Sequence, residues 1–129
     1  MSSKTKLANQ VVNDSYRAMG IVKKPSLRTS EQAQTRAAIA CAMVRNFHTT
    51  DISLALEKDR TTVSYYKRMH ENNVVGWRGY EDKYKIAKSI AEGKILIDDV
   101  RAQIIALNKQ LSHIESRKEE LLTLIKSQP

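Results

Sequence analysis

Between Ile97 and Ile125, apolar residues return at alternating steps of three and four: Ile97, Val100, Ile104, Leu107, Leu111, Ile114, Leu121 and Ile125, with Lys118 at the one polar position of the series. A strand repeats every two residues, so this spacing dictates a helix. Holding it for about four heptads, roughly 40 Å at ~1.5 Å per residue, leaves one long seam that needs a helical partner. Ile86 and Ile90 continue the register backward, with Gly93 as a gap. Ile95, Leu96, Ile105, Leu122 and Leu124 widen the apolar face, so a helix folded back on its own domain is the alternative arrangement. Eight apolar seam positions exceed what a small helical core covers, which favours self-association. A lysine within a seam favours few strands and a fixed register, so a homodimer is expected, with a different protein partner on this helix as the alternative occupant.

The rest of the chain is also read as helical. Four glycines and two prolines among 129 residues, with Ala, Leu, Lys, Glu, Gln and Arg abundant, predict an all-α protein. The length suits one compact domain plus an extension. Residues 1–28 read as a basic N-terminal arm, in which Ala8, Val12, Tyr16 and Met19 allow one short amphipathic helix ended by Gly20 and Pro25. Residues 29–80 read as the domain, and residues 81–129 as the long helix.

Within the domain, Thr29 followed by Gln32 has capping-box spacing, and Glu31 puts negative charge in the first helical turn. Ile39, Ala40, Met43, Val44 and Phe47 then form an apolar face, with Cys41 as a small buried residue beside it. In "HTTDISLALEKD", Thr49 or Thr50 is the expected N-cap of a helix of about two turns carrying Ile52, Leu54, Ala55 and Leu56. Glu57, Lys58 and Asp59 form a turn, and Asp59 caps a helix from Arg60 to about Glu71. Two short helices joined in this way have helix-turn-helix dimensions. "VVGWRGYED" reads as a loop, in which Trp77 either covers the core or projects with Arg78.

Charge narrows the choice of partners. The formal net charge is +8, and residues 1–28 carry six cations against one anion. That excess suits a polyanion, nucleic acid before an anionic membrane surface. No apolar run approaches the roughly 18 residues of a membrane span. A lone Cys41 and the polar start "MSSKTKLANQ" suggest a reduced, cytoplasmic setting. His48, His70 and His113 lie far apart without partners at ligand spacing, and no phosphate loop or activated nucleophile is evident. Neither an enzyme nor a bound cofactor or metal is therefore expected.

The stretch "EKDRTTVSYYKRMHENN" carries the candidate chemistry. A recognition helix needs short polar residues at its start to approach base edges, with long basic ones alongside to meet phosphates. Arg60 suits a bidentate contact to guanine, and Thr61 and Thr62 offer a hydroxyl or a methyl group. Val63 should point inward with Tyr66 or Met69, leaving Ser64, Tyr65, Lys67 and Arg68 outward. The plainer reading is that the threonines only cap the helix and the cations only solvate its face.

"TRAAIACAMVRNF" followed by "DISLALEKDRTTV" resembles the C-terminal DNA-binding domain of the DnaA replication initiators, particularly short versions in phage and mobile-element proteins. Ile39, Ala40, Met43 and Arg45 match its first helix, Ile52 opens the second, and Asp59 to Val63 match its Asp-His-Thr-Thr-Val element. The likeness covers about residues 30–72. It implies a helix-turn-helix of the Trp-repressor or DnaA domain IV type. It also implies base contacts from Asp59, Arg60 and Thr61, support from Thr62, and phosphate or groove contacts from Lys58 and Arg45. Arg60 stands where the family has His, and Glu57 where Gly is usual, so base preference and turn geometry should differ. Together with Thr50, Ser64, Tyr65, Lys67 and Arg68, these residues make the expected interface with double-stranded DNA. The expected role is a dimeric regulator of transcription or replication in a phage or mobile element. A coiled-coil adaptor and a non-specific nucleic-acid packager are the alternatives.

Overall fold

A computed structural model describes residues 2–128 as five helices: α1 (Ser3–Met19), α2 (Ser30–Met43), α3 (Thr49–Leu56), α4 (Arg60–Gly76) and α5 (Tyr80–Lys126). The fold is all-helical, with no strand among the described residues. The chain clusters into two units, residues 1–95 and 96–129.

The first unit is built around α2, of whose 14 residues 11 are buried. A helix covered on nearly every side needs small residues where its neighbours come close. Ala37, Ala38, Ala40 and Ala42 supply them, while Ile39 and Met43 fill the larger gaps. Cys41 is buried and its Sγ donates to the Tyr66 carbonyl of α4 (3.3 Å). Four polar residues of α2, Gln32, Gln34, Thr35 and Arg36, are buried too, and each makes a hydrogen bond, although Arg36 Nε is left without a partner. Gln34 Nε2 donates to Arg78 O (2.6 Å), Thr35 Oγ1 to Glu31 O (2.7 Å) and Arg36 Nη1 to Lys24 O (3.3 Å).

The N-terminal segment is part of this core and not a separate arm. Ser2 caps α1 by accepting from Thr5 N, and Gly20, at φ +70°, ends it in the left-handed conformation that glycine tolerates best. Leu7, Ala8, Val11, Val12, Ser15 and Tyr16 form a buried stripe. Burying a large apolar side chain stabilises by about 1.5–3 kcal/mol, so several together hold a helix whose outer face is polar. Thr5 Oγ1 also donates to Asp51 of α3 (2.9 Å), and Asp14 pairs with Lys94 (2.8 Å).

The capping box at α2 is half formed. Thr29 Oγ1 accepts from Gln32 N (3.3 Å), but the Gln32 side chain turns to the preceding linker, donating to Val22 O and accepting from Lys24 N. The expected threonine cap of α3 is replaced by His48, whose backbone is extended but whose side chain makes no capping bond. Thr49 and Thr50 lie inside the first turn.

The helix α4 runs past Glu71 to Gly76, so most of the expected loop is helical. Only Trp77, Arg78 and Gly79 separate it from α5, and Gly79, at φ +85°, provides the reversal. Trp77 packs half-buried against the core, nearly parallel to Tyr80 with ring centroids 6.3 Å apart. Tyr80, Ala87 and Ala91 continue the core into the start of α5. Lys83 Nζ reaches Gln34 Oε1 (2.8 Å) and Thr35 Oγ1 (3.0 Å), and the burial this requires lowers its pKa.

The second unit is helical through Lys126, and its described residues are all exposed. Its apolar seam is exposed: Ile97 is 50% exposed, Leu107 62% and Ile125 68%.

Candidate nucleic-acid interface

Ile52, Ala55 and Leu56 bury one face of α3, and Val63 and Tyr66 bury one face of α4. Three residues join the helices, and the first carries the tightest backbone constraint. Glu57 has φ 57°, a left-handed conformation that is uncommon outside glycine. Its N–H returns to Leu54 O (3.2 Å), and the Lys58 N–H to Ser53 O (2.9 Å), closing the C-terminus of α3. Lys23, from the linker after α1, donates to Ala55 O (2.7 Å) and lies 3.3 Å from the Glu57 carboxylate. One cation thus clamps the turn and offsets the negative charge nearest to it.

Asp59 is the N-cap of α4 by backbone conformation, but its exposed carboxylate makes no capping bond. The first amides of α4 therefore have no side-chain cap, which leaves a helix N-terminus open to an incoming anion. Successive residues on a helix are rotated by about 100°. With Val63 and Tyr66 inward, Thr61, Ser64, Tyr65 and Arg68 form the opposite stripe, and all four are exposed. Arg60 and Lys67 flank one side of it, both exposed, and half-buried Thr62 lies toward the other. Lys67 Nζ is 3.5 Å from Thr49 Oγ1, so its ammonium lies near the start of α3. Arg45 and Thr50 are exposed in the region between α2 and α3 and on α3 itself.

The α3–turn–α4 segment therefore carries Thr50, Lys58, Asp59, Arg60, Thr61, Ser64, Tyr65, Lys67 and Arg68 as solvent-accessible groups, with Val63 beneath them. Two contributors escape a reading of the sequence. Thr49, and not Thr50, meets Lys67, and Lys23 belongs to the turn and not to a separate basic arm. The adjacent threonines give no signal to choose between them. Lys23 acts on a carbonyl 32 residues away, which no local pattern reveals.

No helix of the described residues is long and apolar enough to cross a membrane. Comparison with known proteins gives no relative to lean on: no family model, curated protein or solved structure matches the chain.

Proposed function

We propose that the chain is a sequence-preferring double-stranded DNA-binding protein that uses α3 and α4 as a helix-turn-helix and pairs with a second copy through the seam of α5. The observation that carries the reading is the division of α4. Val63 and Tyr66 are buried, while Arg60, Thr61, Ser64, Tyr65, Lys67 and Arg68 are exposed immediately beyond a three-residue turn. Short side chains on the outward stripe allow close approach to base edges, and the flanking cations suit phosphates. The open N-terminus of α4 adds amide donors for a backbone phosphate. Pairing two copies multiplies a modest affinity by presenting two reading surfaces at once.

The uncovered seam supports the pairing, since eight apolar positions along one exposed helix cost free energy until they are covered. A regulator of transcription or replication in a phage or mobile element is the biological role that fits the resemblance.

Selection of binding sites from random duplexes, followed by salt titration of the winner, tests the proposal. A specific reader enriches one sequence and keeps its preference once phosphate contacts are screened. A packager shows a steep salt slope without preference, and an adaptor binds no duplex; either result removes the reading.

A further inference from the structure

We infer that the seam of α5 pairs with a second copy in the antiparallel direction, in a register centred on Lys109; this rests on the dimer proposed above and specifies its geometry. In heptad positions, Ile97, Ile104, Leu111 and Lys118 occupy a, and Val100, Leu107, Ile114 and Leu121 occupy d. The flanking e positions hold Arg101, Asn108, Glu115 and Leu122, and the g positions Leu96, Gln103, Gln110, Arg117 and Leu124. Flanking charges choose strand orientation, because e faces g in a parallel pair, whereas e faces e and g faces g in an antiparallel one.

The parallel arrangement fits poorly. It sets Lys118 against its own copy in one layer, a like-charge contact in the least hydrated part of the interface. Its flanking pairs would be Leu96 with Arg101, Gln103 with Asn108, Gln110 with Glu115 and Arg117 with Leu122, which include no pair of opposite charge.

The antiparallel arrangement centred on Lys109 resolves each of these. Ile97 meets Leu121, Val100 meets Lys118, Ile104 meets Ile114 and Leu107 meets Leu111, each twice by symmetry, so all eight positions from 97 to 121 find partners within one another. The two lysines lie opposite valine, about 27 Å apart along the axis at ~1.5 Å per residue. Arg101 faces Glu115 twice, and Leu96 faces Leu124 twice. Arg101 and Glu115 are both exposed, and neither belongs to an ion pair among the described residues, whereas Arg117 is already held by Glu120 (3.0 Å). In this register Ile125, at the end of the seam, falls opposite Gly93; sliding by one heptad in either direction loses the Arg101–Glu115 pair, setting Arg101 against Leu122 or Asn108.

The test places a nitroxide at Thr123 (T123C) in the full chain with Cys41→Ser, and reads the distance between labels by double electron–electron resonance. Position 123 is an outward f position, so the label leaves the seam intact. The antiparallel pair puts the two labels at least about 42 Å apart along the axis, whereas a parallel pair puts them within about 20 Å. A short distance overturns the inference while leaving the dimer in place. A monomer by light scattering overturns both the inference and the dimer.

A second measurement needs no label. Glu115→Lys sets a second cation opposite Arg101 and should weaken the dimer about tenfold, and adding Arg101→Glu should restore it to within about threefold. Equal weakening in the single and double variants would also overturn the antiparallel register.

Discussion

The Tyr80 hydroxyl and the His70 imidazole meet at 2.6 Å (Oη to Nδ1), joining the middle of α4 to the first residue of α5. The bond ties the outward-facing helix to the core, since Tyr80 is fully buried and stacks with Trp77. Tyr84 packs against the same imidazole, with ring centroids 4.5 Å apart. Replacing Tyr80 with Phe keeps the ring packing and removes the hydroxyl, which leaves a half-buried imidazole nitrogen without its partner. A loss of about 1–2 kcal/mol is expected, seen as a lower urea midpoint with an unchanged slope.

Alkaline pH should unfold the first unit through its buried acids. Burial raises the Tyr16 pKa from 10.0 to about 12, and it also pushes up Cys41, whose ordinary value is 9.0, and Tyr80. In each case the folded chain keeps a proton that the unfolded chain releases. The associated stability is present in full below the unfolded pKa and is lost as pH rises through the folded one. Thermal melts should therefore hold steady up to about pH 9 and decline toward pH 12. Tyr16→Phe should make that decline shallower; an unchanged profile would exclude Tyr16 as a source of it.

Glu57→Gly tests the turn. A side chain in the left-handed region costs roughly 1–2 kcal/mol relative to glycine, while an ion pair as exposed as Lys23–Glu57 is worth well under about 1 kcal/mol. The substitution should raise the melting temperature by a few degrees. Glu57→Val, a β-branched residue at the same φ of 57°, should lower it.

On DNA, Arg60 and Lys67 should behave differently. Arg60→Ala should cost about 1–3 kcal/mol on the selected duplex and relax preference at one base pair. Lys67→Ala should weaken all duplexes alike and flatten the salt dependence. Fluorescence anisotropy over a panel of single-base variants reads both. Tight, fully selective binding by Arg60→Ala would remove α4 as the reading helix.

A chain ending at Ile95 retains every buried residue of the core, and it should stay helical and sediment as a monomer. Deleting residues 2–19 instead strips Leu7, Val11, Val12 and Tyr16 from that core and should abolish cooperative unfolding. Circular dichroism melts of the two truncations distinguish these outcomes.

The sequence reveals periodic elements better than polar burial. The alternating three and four steps of α5, the inward Val63 and Tyr66, and the turn at residues 57–59 are local patterns, and each has its counterpart in the structure. The N-terminal helix is harder to judge, because its charges are local whereas its binding partners, such as Asp51, lie far along the chain. Gln34 and Arg36 look like surface residues until Arg78 O and Lys24 O are brought to them. Gly76 resembles a breaker, yet it is the last residue of α4, and the conformational demand falls on Gly79. The extent of the seam is legible, but its partner is not, because heptad spacing specifies a complementary surface without saying which molecule supplies it.

The union of α1 with α3 also has a consequence during synthesis. The Thr5–Asp51 bond spans 46 positions. At roughly 5–20 residues per second, α1 emerges from the ribosome on the order of 2–9 s before the residue it will hold. During that interval Leu7, Val11 and Val12 lack the neighbours that α3 supplies, so the nascent chain's demand for a chaperone should fall once α3 docks.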